Sequence, residues 1–147
     1  ERIRSLIAII AYVINGGLTF NGNIEIMGIN KDQPGLGREI QKGIPHIIVE
    51  IIEYVENAVV SKTIIKKSSG NVTAMSFNRG EELADKISPF DNFIQIIDGV
   101  AELVIDKETH HLKLGNGIVI PAHAQHCFNA REKFKIISTI IKSGYEE

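Results

Sequence analysis

The chain has little of several things, and each shortage excludes a class of protein. There is one cysteine, Cys127, among 147 residues. A single thiol rules out a disulfide framework within the chain and any zinc finger or ribbon. Tryptophan is absent and aromatics make up 6% of the residues, so nothing supports a stacking platform for single-stranded nucleic acid or sugars. Neither sign of charge dominates. Sixteen basic residues face 18 acidic ones, for a formal net charge of -2. That balance argues against nucleic acid or an anionic membrane as a partner. The apolar run from Leu6 to Ile14 has nine residues, whereas a membrane-spanning helix needs about 20. No GxGxxG or GxxxxGK[ST] string is present, so a phosphate-cradling loop is unsupported.

What the chain does have is isoleucine. It stands at 27 positions and valine at nine, so one residue in four is β-branched and aliphatic. Such side chains favour strands packed on a dry interior. From Val59 onward, short apolar runs alternate with turn signals. The runs are 59–66, 71–77, 93–97, 100–105, 111–114, 118–120, 125–129 and 134–142, and among the breaks are Asp98-Gly99 and Gly115-Asn116-Gly117. This spacing predicts an all-β sandwich or barrel, with no helices to make a parallel sheet. The expected organisation is a barrel domain over residues 59–147 preceded by an N-terminal extension over 1–58.

The extension is harder to assign. Ile3, Leu6, Ile7, Ile10 and Ile14 fit one helical face, which predicts a packed helix or strand. The same run, flanked by Arg2 and Arg4, also has the length of a signal-peptide core, but Asn15-Gly16-Gly17 is a poor cleavage site. The expected compartment is the cytoplasm. Asn21-Gly22 is a hairpin signal, and Ile47, Ile48, Ile51, Ile52 and Val55 suit a helical face without settling helix against strand.

Two strings carry a family resemblance. Gly80-Glu81-Glu82-Leu83, then Ser88-Pro89-Phe90-Asp91, then Phe93 through Gly99 resembles the first pattern of the cupin superfamily, G-x5-H-x-H-x3,4-E-x6-G. Gly115 through Ala122, ending at His126, resembles the second, G-x5-P-x-G-x2-H-x3-N. The likeness covers about Val59 to Lys142 and is strongest to the small single-domain conserved-barrel (cupin 2 type) proteins. It implies a double-stranded β-helix, or jelly-roll, barrel. It also implies a metal site of three histidines and a glutamate. In this chain those positions hold Lys86, Ser88, Asn92 and His126, so only His126 matches a ligand.

Zinc, iron, manganese or nickel wants three or four N, O or S donors, and an ammonium offers no lone pair. His123 is the residue best placed in sequence to join His126. Cys127 points to the opposite face of a strand from His126, and its plain reading is a small core residue. His110-His111 and His46 carry no site signal. With alternating strands, Lys86, Ser88, Asn92 and His126 converge on one cavity whose wall holds Phe128 and Met75, or alternatively Ala74 and Ser76 on the neighbouring parity. An amine, a hydroxyl, an amide and an imidazole in an apolar barrel suit a small anion or carbonyl compound. A buried Lys86 would be a neutral amine, a base or Schiff-base nucleophile, and His126 a general acid or base. The plainer reading sends Lys86 out to solvent and makes Ser88 the start of a turn before Pro89.

Two functions follow as expectations. One is a cupin-domain protein that binds a small molecule with a degenerate metal site. The other is a metal-dependent isomerase, lyase or oxygenase with a non-standard site around His126. The resemblance also implies a homodimer, and the strand Phe134–Ile141 and the N-terminal apolar segment are its candidate contact surfaces.

Overall fold

The structure, a computed structural model, describes residues 38–144. The apolar run Leu6 to Ile14 and the Asn21-Gly22 hairpin signal lie outside the described residues. Eight strands carry the fold: β1 (Val59–Lys67), β2 (Gly70–Phe77), β3 (Glu82–Ile87), β4 (Asn92–Ile105), β5 (Glu108–Lys113), β6 (Gly117–Ile120), β7 (Gln125–Asn129) and β8 (Phe134–Ile141). The ambiguous isoleucine-rich stretch before β1 makes no helix beyond one 3-10 turn at Ile48–Glu50. Among the described residues no helix is long and apolar enough to cross a membrane.

All the pairings are antiparallel, and the strand path runs β1-β2-β8-β4-β7-β3, with β5 and β6 also paired to β4. β4 belongs to both walls. Its first part pairs with β6 and β8, its second with β5 and β7. The result is the all-β barrel that the spacing of apolar runs predicts.

Two local expectations are corrected. The sequence pattern predicts a turn at Asp98-Gly99 between separate strands, yet both residues lie inside the 14-residue β4. There the register with β8 slips between Ile96 and Asp98, and Gly99 has a φ of +71°. A Cβ on Gly99 would collide with the Lys133 carbonyl oxygen. A bulge with a positive-φ glycine bends a strand sharply without reversing it, so one strand passes from wall to wall. Second, Glu82–Ile87 forms β3, where the sequence pattern gives no strand. β3 ends the strand path, and of its six residues only Leu83 is not exposed, so the hydrophobic alternation that marks a strand is missing.

Alternation sends Phe77, Ile94, Leu103, Phe128, Phe134 and Ile136 into the main core. Phe77 and Phe134 stack at 4.4 Å between ring centroids, with Phe128 at 5.4 and 6.0 Å from them. The outer face of β2 and β8 has its own small cluster, Ala74 and Ile137 under Ile52. The strap that supplies Ile52 is pinned by two polar contacts. Lys135 Nζ donates to the Val49 carbonyl at 2.7 Å, and the Tyr54 hydroxyl donates to Asp98 Oδ2 at 2.7 Å. Burial, then the Asp98 carboxylate beside it, holds the Tyr54 hydroxyl protonated well above the usual tyrosine range.

The strand order also sets where β8 lies. β8 sits between β2 and β4 with both edges hydrogen-bonded, and five of its eight residues are buried. An inner strand has no free edge to offer a second chain.

Candidate functional site

The inward-facing residues of β2, β8 and β4 form rows across the barrel. One row, read through the Cα pairings, is Phe77 and Phe134; the next is Met75, Ile136 and Ile96. The third is Thr73, Ser138 and Ile94, and the fourth Asn71, Ile140 and Asn92. Polarity therefore rises from a phenylalanine plug to an amide-bearing mouth. The opposite wall follows the same order, because β3 and β7 pair Leu83 with Phe128 and Lys86 with His126.

These rows enclose a cavity of about 250 Å³. Lys86, Ser88, Asn92, His126, Phe128 and Met75 all line it. On β2 the Met75 parity faces in, while Ala74 and Ser76 face out, Ser76 donating to the Glu53 carbonyl at 2.7 Å. A larger depression of about 640 Å³ lies on the outside, between residues 38–51 and Lys62, and holds none of these side chains. We place the site in the smaller, inner cavity because the residues at the family's ligand positions meet there.

His126 is buried, and its Nδ1 lies 3.1 Å from the Ala124 carbonyl. A carbonyl can only accept, so Nδ1 carries a proton; in the tautomer with that proton alone, Nε2 keeps a lone pair. Asn92 Oδ1 accepts from the Ser138 hydroxyl at 2.8 Å, which leaves the Asn92 amide NH₂ as a donor. Ser88 is spent locally: its Oγ and the Phe90 backbone N–H are 3.1 Å apart in a turn before β4. The Ser88 carbonyl in turn accepts from the His123 backbone N–H at 2.7 Å, and Asp91 Oδ1 from the Ala122 N–H at 2.8 Å. Those two bonds clip the β6–β7 connection to the β3–β4 connection at the mouth.

Lys86 follows the plainer of its two readings. It lies at the cavity's rim and is exposed, so the burial that would make its amine neutral is absent. Lys86 is thus a cation at the entrance and not a base or Schiff-base nucleophile in the interior. His123 is an exposed loop residue. It stands where the second cupin pattern has glycine, has a φ of +66°, and is exposed outside the cavity lining. It does not join His126. Cys127 is half-buried on the outer face instead of sitting in the core. There burial, then Asp85, raises its thiol above the usual range. His46 bonds the Gln41 carbonyl, and His111 lies 3.9 Å from Glu102, which Arg131 Nε contacts at 2.8 Å. Neither histidine lines the cavity, nor does His110.

The donor set does not fit the metal that the fold's usual pattern implies. Only one imidazole reaches the cavity, Lys86 has no lone pair, the Ser88 oxygen is held by its turn, and the Asn92 oxygen is held by Ser138. Among the described residues no three His, Cys, Asp or Glu side chains come together.

Sequence reasoning missed Asn71, Thr73, Ser61 and Ser138, all of which line the cavity. The signal was present on β2. Carrying the Met75–Phe77 parity two steps back reaches Thr73 and then Asn71. For Ser138 the hint was a lone serine inside an apolar run.

The strands form an antiparallel β-barrel with one plugged and one polar end. Its fold is that of the cupin superfamily. A conserved protein of unknown function from Streptococcus pyogenes superposes with a TM-score of 0.68 at 27% identity, over 71% of this chain and 92% of that one. A cupin superfamily protein from Desulfitobacterium hafniense matches with a TM-score of 0.66 at 22% identity, over 71% and 95%. The cupin 2 conserved barrel domain protein from Leptotrichia buccalis is 33% identical with a TM-score of 0.62, over 64% of this chain and 46% of that one. More distant cupin folds include a salicylate 1,2-dioxygenase from Pseudoaminobacter salicylatoxidans at 16% identity, so enzymes occur among them. No family model and no curated protein matches the chain.

Proposed function

We propose that this protein binds a small polar organic molecule in the open end of its barrel, held by side chains and not through a metal ion. The observation that carries the reading is the convergence of His126, Asn92 and Lys86 on one cavity whose usual metal-ligand positions have lost their donors. A buried imidazole with one fixed proton, an amide donor and a rim cation orient a ligand, while Met75 and Phe128 supply apolar wall. His126 could also move a proton in a bound substrate through Nε2, which keeps an enzyme within this reading.

The test is a small-molecule screen by ¹H–¹⁵N NMR on the full chain in excess chelator. Binding without metal, with shifts centred on His126, Asn92 and Met75, supports the proposal. Stoichiometric uptake of manganese, iron, nickel or zinc that is lost in His126→Ala overturns it, as does a screen in which no molecule perturbs the cavity.

A further inference from the structure

The cavity's hydrogen-bonding inventory specifies its ligand more narrowly. Of the residues lining it, Lys86 alone carries a fixed charge, and no acidic side chain is among them. Lys86 thus puts one positive group in the lining, which suits an anionic group. The lining also holds two acceptors that lack a donor. Asn71 Oδ1 is buried and has no hydrogen-bond partner, since its own amide NH₂ donates to Thr73 Oγ1 at 3.2 Å. His126 Nε2 is the second acceptor in the tautomer whose one proton the Ala124 carbonyl holds on Nδ1. A buried acceptor left without a donor is rare in native proteins and marks a place where a partner belongs.

From this arrangement we infer that the ligand is a short hydroxy acid. Its carboxylate sits at the mouth between Lys86 and the Asn92 amide, and its hydroxyls donate to Asn71 Oδ1 and His126 Nε2. The inference rests on the reading that the cavity binds a small molecule, and it deepens that reading by naming the chemical class.

Placement along the strands agrees with this. Asn71 and Asn92 both pair with Ile140 from either side. Their backbones are thus two strand spacings apart, about 10 Å. A chain of about four carbons with its end groups spans the gap between their side chains. The volume agrees as well: about 250 Å³ equals roughly eight water molecules' share of liquid, room for a molecule of this size. Ile94, Ile136 and Met75 give the carbon skeleton an apolar floor.

Three four-carbon probes separate the contributions: threonate, with carboxylate and hydroxyls; butyrate, with carboxylate alone; and erythritol, with hydroxyls alone. Titrations on the full chain in chelator, read by calorimetry and NMR, are expected to show threonate binding at least tenfold tighter than either of the others. Lys86→Met should bring threonate down to the erythritol level, and Asn71→Leu down to the butyrate level. Leu114→Thr, exposed and outside the cavity lining, serves as the folded control and should change threonate affinity less than threefold. Erythritol binding as well as threonate, or butyrate doing so, overturns the hydroxy-acid assignment and leaves the small-molecule reading standing. Failure of all three probes to bind also overturns it. The broader screen then decides the parent reading separately.

Discussion

At one end of the barrel Phe77, Phe128 and Phe134 fill the interior with rings 4.4 to 6.0 Å apart; at the other, Asn71, Thr73, Asn92 and Ser138 hold the inward positions of the same walls. The backbone does not distinguish the two ends. Both use antiparallel pairing and the same alternation, and β2 and β8 run through both. What differs is chemistry. The plug is dry, fully packed and responsible for much of the core, whereas the mouth keeps polar atoms whose partners are incomplete. Stability concentrated at one end leaves the other free to hold groups that are unfavourable for folding and useful for binding.

The largest expected effect tests the plug. Phe134→Ala removes a ring with no solvent exposure, stacked on Phe77, and should cost about 3–5 kcal/mol in urea unfolding. A loss under about 1 kcal/mol would erase the distinction between the ends. Next is the bulge that lets β4 serve both walls. Gly99→Ala sets a side chain at φ +71° against the Lys133 carbonyl, and it should cost about 2–4 kcal/mol by the same measurement.

Tyr54→Phe is smaller, about 1 kcal/mol near neutral pH, from one hydrogen bond to Asp98. Its pH dependence is more specific. The folded chain holds the Tyr54 proton above the ordinary tyrosine value near 10, so the stabilisation is complete below that pH. As pH rises further, the unfolded chain ionises while the folded one resists, and stability falls. Urea midpoints from pH 8 to 11 should drop less steeply in Tyr54→Phe than in the parent chain.

The smallest effect concerns the mouth. Asn71→Val removes an unpaired buried oxygen and places a β-branched residue in a strand. It should leave stability unchanged or raise it by about 1 kcal/mol while weakening ligand binding. A loss comparable to that of Phe134→Ala would mean that the mouth, too, is a folding element.

Much of the barrel was legible because burial imposes period two on a strand. Val59–Lys67, Gly70–Phe77 and Gln125–Asn129 announce themselves within a residue or so of their observed ends. β3 did not, because an exposed edge strand needs no apolar stripe. Asp98-Gly99 misled because a bulge and a turn make the same demand on one residue, a positive φ, and differ only in what the flanking segments pair with. At the site, the register of the two cupin patterns placed Lys86, Ser88, Asn92 and His126 on one cavity. It could not show that Lys86 stays in water or that His123 takes up a glycine's conformation outside the lining.

Local chemistry by itself determined the all-β character, the positions of most strands and the missing metal donors, since these depend on side-chain type and on spacing along the chain. Only the tertiary structure decided that Asn71 lies across β8 from Asn92, that Ser138 occupies the Asn92 oxygen, and that the Ala124 carbonyl sets the His126 proton. Those pairings join residues from 2 to 46 positions apart, and they depend on strand order and on how the β6–β7 loop closes.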